Sequence, residues 1–403
     1  MCNFMLNVAT GERYLRTTRL KEPVLLGIEI AKLALRRGLP VVIRGAAGEA
    51  ALVHAAEAID ASDLTRLRER SGSEPTLVLS AQRALALGRG AKGVGAVVLR
   101  PRGEFDAAAF HSLVDPLARS ASPLMLLSRF EVTDTRTCDI AALKLTKLAG
   151  LLPAALAARL ERAPDDLLCW AAERGLPLIG AADVLAYEDQ ASTTLRPVGS
   201  ARVPLAAAED VQIVAFRPST GSSEHLAIII GQPSADQPVL TRLHSECFTG
   251  DVLGSLRCDC GDQLRGALGV MAAAGGGVLL YLAQEGRGIG LVNKLRAYAL
   301  QDRGLDTIDA NGALGFEPDE RFYRPAAEML QQLGFTKIRL MTNNPQKLAA
   351  LALYGIAIVE RVPLAFPSNA HNEAYLRTKA VRSGHYLDAT TGAWPAGQKR
   401  LSP

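Results

Sequence analysis

The sequence predicts an α/β (α+β) fold of two domains, each a mixed sheet packed with helices. Short apolar runs alternate with longer stretches of helical periodicity, as in α/β proteins. A length of 403 residues exceeds one ordinary hydrophobic core. A polar segment with two prolines at 187–205 predicts a boundary near residue 200, which gives domains at 1–200 and 201–403.

The strand and helix predictions follow from these runs. In the first half we expect strands at 41–43, 76–80, 96–99 and 123–128, and helices at 139–151 and 165–174. In the second half we expect a helix after Gly261, a disordered tail from about Thr390, and strands at 211–218, 226–231, 239–247, 278–283, 338–342 and 356–362.

Composition restricts the function classes. The chain is 48% hydrophobic and 21% charged with a net charge of +4, which is ordinary for a soluble protein and too mild for a dedicated nucleic-acid coat. No apolar run is long enough to span a membrane, and the N-terminus lacks the pattern of a signal peptide. We therefore expect a cytoplasmic protein with reduced thiols and no nucleic-acid or membrane partner.

Three of the six cysteines lie in one segment, RLHSECFTGDVLGSLRCDCGD at 242–262. Cys247, Cys258 and Cys260 form a C-x10-C-x-C pattern. Three thiolates can hold a zinc ion and leave its fourth tetrahedral position open, as catalytic zinc sites do. Such a zinc lowers the pKa of bound water toward about 7 and generates hydroxide for attack on an electrophilic carbon. The pattern favours a catalytic zinc.

A structural zinc knot or a redox pair is the alternative interpretation. Structural knots usually have four protein ligands in paired C-x2-C units, whereas the second pair here is C-x-C. His244 is the remaining candidate for a fourth ligand, although it precedes Cys247 closely on an apparent strand.

Two loops that follow predicted strands carry features of anion-binding sites. In QEGRGIG at 284–290, the glycines let backbone amides approach a ligand, Glu285 can accept from a purine edge, and Arg287 can bind a phosphate. Its glycine spacing is not that of a dinucleotide fingerprint, and alone the loop is equally typical of a solvated turn. In TNNPQK at 342–347, a helix start directs free amides and Lys347 toward the carboxyl ends of the strands.

Taken in order, these segments resemble GTP cyclohydrolase II over about residues 205–388. The matching motifs are RLHSECFTGDVLGSLRCDCGDQL, QEGRGIGLVNKLRAYALQD, LGFEPDER, MTNNPQK and NEAYLRTKAVRSGH. The resemblance implies a C-terminal domain of that family's fold and a homodimer. It also implies hydrolysis of GTP to 2,5-diamino-6-ribosylamino-4(3H)-pyrimidinone 5′-phosphate, formate and pyrophosphate, the first step of riboflavin biosynthesis.

The resemblance implies a role for each matching position. The three cysteines would bind one Zn²⁺ per chain, and Mg²⁺ would accompany the triphosphate of GTP. Asp319 resembles the family's proton acceptor, Arg321 the nucleophile on the α-phosphorus, and Tyr298 the tyrosine that assists ring opening. The sequence leaves open whether Arg321 forms a covalent bond or only stabilises the transition state. The implied GTP contacts are Arg242, Leu243, His244, Ser245, Glu246, Gln263, Glu285, Gly286, Arg287, Thr307, Thr342 and Lys347.

Residues 24–190 resemble, more faintly, 3,4-dihydroxy-2-butanone-4-phosphate synthase. That family binds Mg²⁺ through a dense acidic loop, whereas the loop within the matching segment 41–57 keeps only Glu49. The family's G-H-T-E motif falls on TCDI at 137–140, so its catalytic histidine is absent. Because Mg²⁺ needs several oxygen ligands, we expect this domain to be inactive and to keep a structural or dimerisation role.

Four functions compete. The leading one is a monofunctional GTP cyclohydrolase II with an inactive N-terminal domain. The second is a bifunctional enzyme that also makes 3,4-dihydroxy-2-butanone 4-phosphate. The third is a non-catalytic regulatory protein that binds zinc and GTP, and the retention of Tyr298, Asp319 and Arg321 argues against it. A nucleic-acid-binding zinc module fits poorly with the mild charge.

Overall fold

The computed structural model describes residues 20, 22–89, 95–118, 123–160 and 167–364. The predicted tail from Thr390, the motif at 372–385 and Cys2 lie outside these residues. The helices described are α1 (Glu22–Arg36), α2 (Ala61–Ser71), α3 (Ala81–Ala86), α4 (Ala107–Val114), α5 (Pro123–Leu127), α6 (Thr137–Leu148), α7 (Leu167–Glu173), α8 (Ala181–Ser192), α9 (Cys260–Ala273), α10 (Leu291–Gln301), α11 (Thr307–Ala313), α12 (Arg324–Gln332) and α13 (Pro345–Leu353). The strands described are β1 (Val41–Arg44), β2 (Ala50–Ala55), β3 (Thr76–Ser80), β4 (Ala96–Pro101), β5 (Phe130–Thr133), β6 (Ala154–Arg159), β7 (Leu178–Gly180), β8 (Arg196–Arg202), β9 (Val211–Arg217), β10 (His225–Gly231), β11 (Val239–Ser245), β12 (Gly276–Leu282), β13 (Lys337–Met341) and β14 (Ala357–Val362).

The first seven of these strands form one mixed sheet in the order β5-β4-β3-β6-β2-β1-β7. All neighbours are antiparallel except β1 and β7. Helices α1, α6 and α8 cover one face, where Ile28, Cys138 and Val184 are buried. Helices α2 and α4 cover the other face through Leu64 and Phe110.

The later strands form a second mixed sheet in the order β14-β13-β11-β12-β10-β9-β8. Strands β14, β13, β11 and β12 run parallel, and the rest pair antiparallel. Adjacent residues of β12 point to opposite faces, because side chains alternate along a strand. Leu279 packs in the cluster with Met271 of α9, and Leu280 in the cluster with Leu330 of α12. The predicted pair of mixed sheets packed with helices is therefore confirmed.

One strand prediction is wrong. Residues 123–128 were expected to be a strand, but Pro123–Leu127 is helical and the strand is Phe130–Thr133. Proline suits the first helical position, and the leucines and methionine that follow it favour helix over strand. The β-branched residues that favour a strand, Val132 and Thr133, come just after it.

The polar segment at 187–205 is structured. It holds the end of α8 and the edge strand β8, all seven residues of which are exposed. Pro197 lies at a register shift of this edge strand, where the loss of a ladder hydrogen bond costs little. The boundary predicted near residue 200 falls within β8, which pairs with β9, and it stays a prediction.

The two halves of the chain share a hydrophobic cluster. Leu300 of α10 and Phe316 are buried in the same cluster as Leu77 and Phe110 from the first sheet and its helices. Burial of this kind is the main stabilising term in folding, so the halves support one another. No helix in the described ranges combines the length and apolarity needed to cross a bilayer.

Candidate active site and metal centre

The site lies at the carboxyl ends of three neighbouring parallel strands, β13, β11 and β12. Carboxyl ends of parallel strands meet at one edge of a sheet, where α/β proteins bind ligands. Ser245 at the end of β11 pairs in register with Leu282 at the end of β12. The Gln284 side-chain amide donates to Ser245 Oγ at 3.0 Å and thereby links the two loops that begin there.

One pocket brings together all the predicted site residues except Asp319, which contacts it through Arg321. The pocket residues also include polar side chains that sequence reasoning missed. These are Arg257, Asp259, Lys294, Gln301, Asn311, Asn343 and Asn344.

The three predicted metal ligands converge at the mouth of β11. Cys247 follows the strand, Cys258 precedes α9, and Cys260 is the first residue of α9. Their sulfurs lie within 4.8 Å of one another, and Cys247 Sγ lies 3.7 Å from Cys258 Sγ. Two sulfurs on one tetrahedral zinc, each at about 2.3 Å, lie about 3.8 Å apart. The thiol cluster therefore fits zinc.

A glycine closes the back of this cluster. A Cβ on Gly250 would lie 2.8 Å from Cys258 Sγ and 3.0 Å from Cys247 Sγ, so any larger residue would displace the sulfurs. Gly250 belongs to the π-helical turn Phe248–Val252, which folds the chain back over the sulfurs. Within the part of the chain that the structure describes, this is the one cluster of three or more Cys, His, Asp or Glu side chains that could share an ion.

Asp251, which the sequence analysis missed, organises this turn. Its carboxylate accepts from the Cys247 backbone N–H at 3.0 Å, from Tyr281 Oη at 2.9 Å, and contacts His244 Nε2 at 3.1 Å. Burial lowers the pKa of His244, so its ring is neutral near pH 7. His244, the candidate fourth ligand, turns Nε2 toward Asp251, and among the described residues the cluster that could hold an ion consists of the three cysteines.

Lys294 supplies positive charge beside the thiols and was also missed. Its Nζ lies 3.0 Å from Cys247 Sγ, 2.9 Å from Thr249 Oγ1 and 2.9 Å from Glu285 Oε1. Hydrogen bonds from the other two thiols, followed by Lys294, lower the pKa of Cys247. A thiolate is the form of cysteine that binds metal. The only sequence signal was that Lys294 precedes Tyr298 by one helical turn.

The glycine-rich loop has an unusual backbone. Gly286, Gly288 and Gly290 have positive φ, and so does Arg287 at 62°, which is costly for a residue with a Cβ. A Cβ on Gly288 would lie 2.8 Å from the backbone oxygen of Glu320, so glycine permits this close approach. Glu285 was expected at a purine edge. Its carboxylate accepts from the Phe248 and Gly286 backbone N–H groups and from Lys294.

Two buried cations line the pocket beside the ends of β11 and β13. Arg242 of β11 donates to the Met341 carbonyl at 2.9 Å and to Gln263. Burial lowers the pKa of Arg242 to about 10, which leaves it charged at neutral pH. Lys347, in the first turn of α13, donates to the Leu243 carbonyl at 2.7 Å. Cations beside a helix N-terminus can bind an anionic group such as a phosphate.

Asp319, Arg321 and Tyr298 lie on the elements that close the pocket. Arg321 Nε donates to Asp319 Oδ1 at 2.7 Å in the segment between α11 and α12. Tyr298 lies on α10, and the guanidinium carbon of Arg257 lies 5.1 Å from its ring centroid. Burial raises the pKa of Tyr298 to about 12, so its hydroxyl keeps its proton at neutral pH.

The first half has no comparable site among the described residues. Glu49, the acid retained in the loop, accepts from Thr137 Oγ1. Cys138 is buried, and burial raises the pKa of its thiol to about 12. Asp139 is buried in an ion pair with Arg159 at 2.5 Å. The acids near this position are therefore committed to internal contacts.

Comparisons with known proteins agree with this geometry. Residues 196–363 match the family model described as GTP cyclohydrolase II. The chain is 52% identical over 364 residues to a GTP cyclohydrolase-2 from Azospirillum brasilense, covering 90% of this chain and 94% of that protein. It is 47% identical over 255 residues to the riboflavin biosynthesis protein RibBA of a Synechocystis strain, covering 61% of this chain and 46% of that protein.

The chain belongs to the GTP cyclohydrolase II family and is an enzyme of that family. A solved 3,4-dihydroxy-2-butanone 4-phosphate synthase is 21% identical with a TM-score of 0.33, covering 40% of this chain and 97% of that chain. One similar solved structure is RibBX from A. baumannii, a two-domain synthase of that kind. It is 18% identical with a TM-score of 0.33, covering 84% of this chain and 99% of that chain.

Proposed function

We propose that this chain is a zinc-dependent GTP cyclohydrolase II. It would convert GTP to 2,5-diamino-6-ribosylamino-4(3H)-pyrimidinone 5′-phosphate, formate and pyrophosphate in riboflavin biosynthesis. The observation that carries the proposal is that three cysteine sulfurs of zinc-binding spacing share one pocket with buried cations. The cysteine sulfurs would hold the zinc for opening of the guanine ring, and the buried cations would bind the triphosphate.

Cys247, Cys258 and Cys260 would hold the zinc. When bound, zinc supplies the Lewis acidity that activates water for attack on carbon 8 of guanine. Asp251 fixes Cys247 through its backbone N–H, and Lys294 donates to the same sulfur. Tyr298, protonated at neutral pH, would give a proton to a ring nitrogen as the imidazole ring opens.

The phosphate side of the reaction would rest on the cations. Arg321, oriented by Asp319, would act at the α-phosphorus as pyrophosphate leaves, with Arg287 and Lys347 on the remaining charge. Mg²⁺ carried by the triphosphate would neutralise part of that charge. The bidentate contact with Asp319 keeps the guanidinium cationic, which supports stabilisation of the transition state over a covalent role.

The guanosine part of GTP would be recognised by the rest of the pocket. The side chains proposed for it are Arg242, Leu243, His244, Ser245, Glu246, Gln263, Glu285, Gly286, Thr307 and Thr342. We also propose that the protein works in the cytoplasm as a homodimer.

A bifunctional enzyme is the second candidate, because the name of the RibBA relative covers riboflavin biosynthesis broadly. The engagement of Glu49 and Asp139 in internal contacts weighs against a Mg²⁺ site in the first half. Assaying turnover of ribulose 5-phosphate separates the two, and formation of butanone phosphate would show that the first half is active.

The test of the main proposal follows all three products at once. Purified, zinc-loaded protein is incubated with GTP and Mg²⁺, and formate, pyrophosphate and the pyrimidine are measured together. Equal release of all three is the expected result. Pyrophosphate without formate would place the failure in ring opening. If GTP binds and nothing is released, the protein is a regulator and the proposal is wrong.

A further inference from the structure

The segment that carries Asp319 and Arg321 has little regular structure of its own. It runs from the end of α11 at Ala313 to the start of α12 at Arg324, with neither helix nor strand between them. A residue that acts on a reacting phosphate must be held to within a fraction of an ångström of its productive position, and this needs rigid support. We call residues 314–323 the Asp319–Arg321 loop.

Much of that support comes from the N-terminal half. Arg83, buried in α3, donates to the Ala313 carbonyl at 2.8 Å. The neighbouring Gln82 donates to Glu317 at 2.9 Å. Gly315 packs so closely that a Cβ there would lie 2.8 Å from Ser80 Oγ. Several contacts at the start of the loop therefore come from the other sheet and the helix that follows it.

Lys147 supplies the contact nearest the reacting residues. Its ammonium lies 2.6 Å from the carboxylate of Glu320, the residue between Asp319 and Arg321. The same carboxylate oxygen accepts from the Glu317 backbone N–H at 2.8 Å, which tightens the turn. The two side chains are only 21% and 16% exposed. Lys147 lies on α6, far away in sequence and in the other half of the chain.

Glu320 also contacts the glycine-rich loop at 284–290. The Glu320 backbone N–H donates to the Arg287 carbonyl at 3.0 Å. Helix α10, which carries Lys294 and Tyr298, is tied to the same half, since Asn293 donates to the Gly150 carbonyl at 3.1 Å and Arg296 to Glu57 at 3.2 Å. The elements around the phosphate side of the pocket thus rest on the N-terminal half.

We propose that the N-terminal half is a scaffold for this site, and that Lys147 is a positioning residue that acts through Glu320 on Asp319 and Arg321. The inference rests on the proposed function. It also gives the N-terminal half a role that needs no catalysis of its own. Both side chains keep some contact with solvent, so the charge left after one partner is removed can be hydrated, and we expect the loop to be displaced without unfolding of the protein.

The test is Lys147→Met, which keeps the length of the side chain and removes its charge. We expect the kcat of pyrophosphate release from GTP to fall about tenfold, with KM changed less than twofold, because the loop moves while the pocket remains. The zinc content per chain should not change, since the cysteines lie on other elements. Lys147→Arg, which keeps the charge, should recover most of the rate.

Lys144→Met is the matched control. Lys144 lies on the same helix and pairs with Glu188, within the N-terminal half. Lys144→Met should release pyrophosphate at the wild-type rate. A wild-type rate for Lys147→Met would overturn the inference. If Lys147→Met does not fold, Glu320→Gln removes the pair from the other side and keeps an acceptor for Glu317. A wild-type rate for Glu320→Gln would also overturn the inference. Inactivity of the wild type would refute the proposed function itself.

Discussion

Arg321 donates two parallel hydrogen bonds to Asp319, from Nε at 2.7 Å and from Nη2 at 2.5 Å. Burial alone would raise the pKa of Asp319, but the hydrogen bonds and charge of Arg321 outweigh it and bring the pKa below its usual value. Asp319 is therefore ionised at neutral pH and holds the guanidinium in one orientation. A fixed, permanently charged donor suits a phosphate that gains charge in the transition state.

Replacing Arg321 tests this arrangement. Arg321→Ala should lower pyrophosphate release by about a thousandfold, as loss of an arginine at a transferring phosphate does. Arg321→Lys should recover little, because an ammonium cannot make the two-pronged contact with Asp319. Rapid-quench measurement of pyrophosphate gives the rate. Arg339→Ala is the control, since Arg339 pairs with Glu360 on the exposed surface. Normal release by Arg321→Ala would remove the proposed role.

The convergence of several candidate-site residues was predictable because they lie at or shortly after the carboxyl ends of buried strands. Cys247 and Lys347 could be placed at one sheet edge from the chain alone, since carboxyl ends of parallel strands converge. Asp251 and Lys294 could not, because their roles arise from contacts that only the folded turn and helix create. The contact between Lys147 and Glu320 joins different halves of the chain and leaves no local pattern.

The fold was predictable to a similar depth. Short apolar runs rich in β-branched residues, such as the three isoleucines of β10, identify strands. The helix Pro123–Leu127 was misjudged because a short apolar run has no periodicity that separates helix from strand. The edge strand β8 was hidden because all of its side chains are exposed and polar or small residues dominate it.

The metal proposal predicts that Cys258→Ser loses zinc and formate release together. A serine hydroxyl stays protonated at neutral pH and is a poor replacement for a thiolate ligand. Metal analysis after dialysis, with formate measured on the same sample, tests the link. Cys169→Ser is the control, because Cys169 is exposed on α7 in the other half. Normal formate release by zinc-free Cys258→Ser would contradict a catalytic zinc.

Tyr298→Phe should slow formate release more than pyrophosphate release. The variant keeps the ring near Arg257 and Lys294 and removes only the proton donor. Loss of a general acid typically costs about a hundredfold or more, so we expect about that loss in formate and less than threefold in pyrophosphate. Tyr354→Phe, outside the pocket, should leave both rates unchanged. Equal losses of both products in Tyr298→Phe would mean that the hydroxyl has no specific part in ring opening.

His225, at the start of β10, should make the protein less stable in mild acid. Burial lowers its pKa from 6.5 to about 4, and its Nδ1 accepts from the Ala283 backbone N–H at 3.0 Å. Below pH 6.5 the unfolded chain therefore binds more protons at this residue than the folded chain does, and the free energy of unfolding falls as pH falls. The contribution of His225 is complete above pH 6.5 and disappears progressively toward pH 4.

The measurement is urea unfolding of the wild type and His225→Asn at pH 7.5 and pH 5.5. Asparagine does not titrate, and its side-chain oxygen can replace Nδ1 as the acceptor for Ala283. Each pH unit below 6.5 is worth about 1.4 kcal/mol, so the wild type should lose about 1.4 kcal/mol more than the variant between these two pH values. All other titrating groups are common to both proteins and cancel in the comparison. An identical loss in the two proteins would show that His225 is protonated in the fold at little cost, with Ala283 bonded elsewhere.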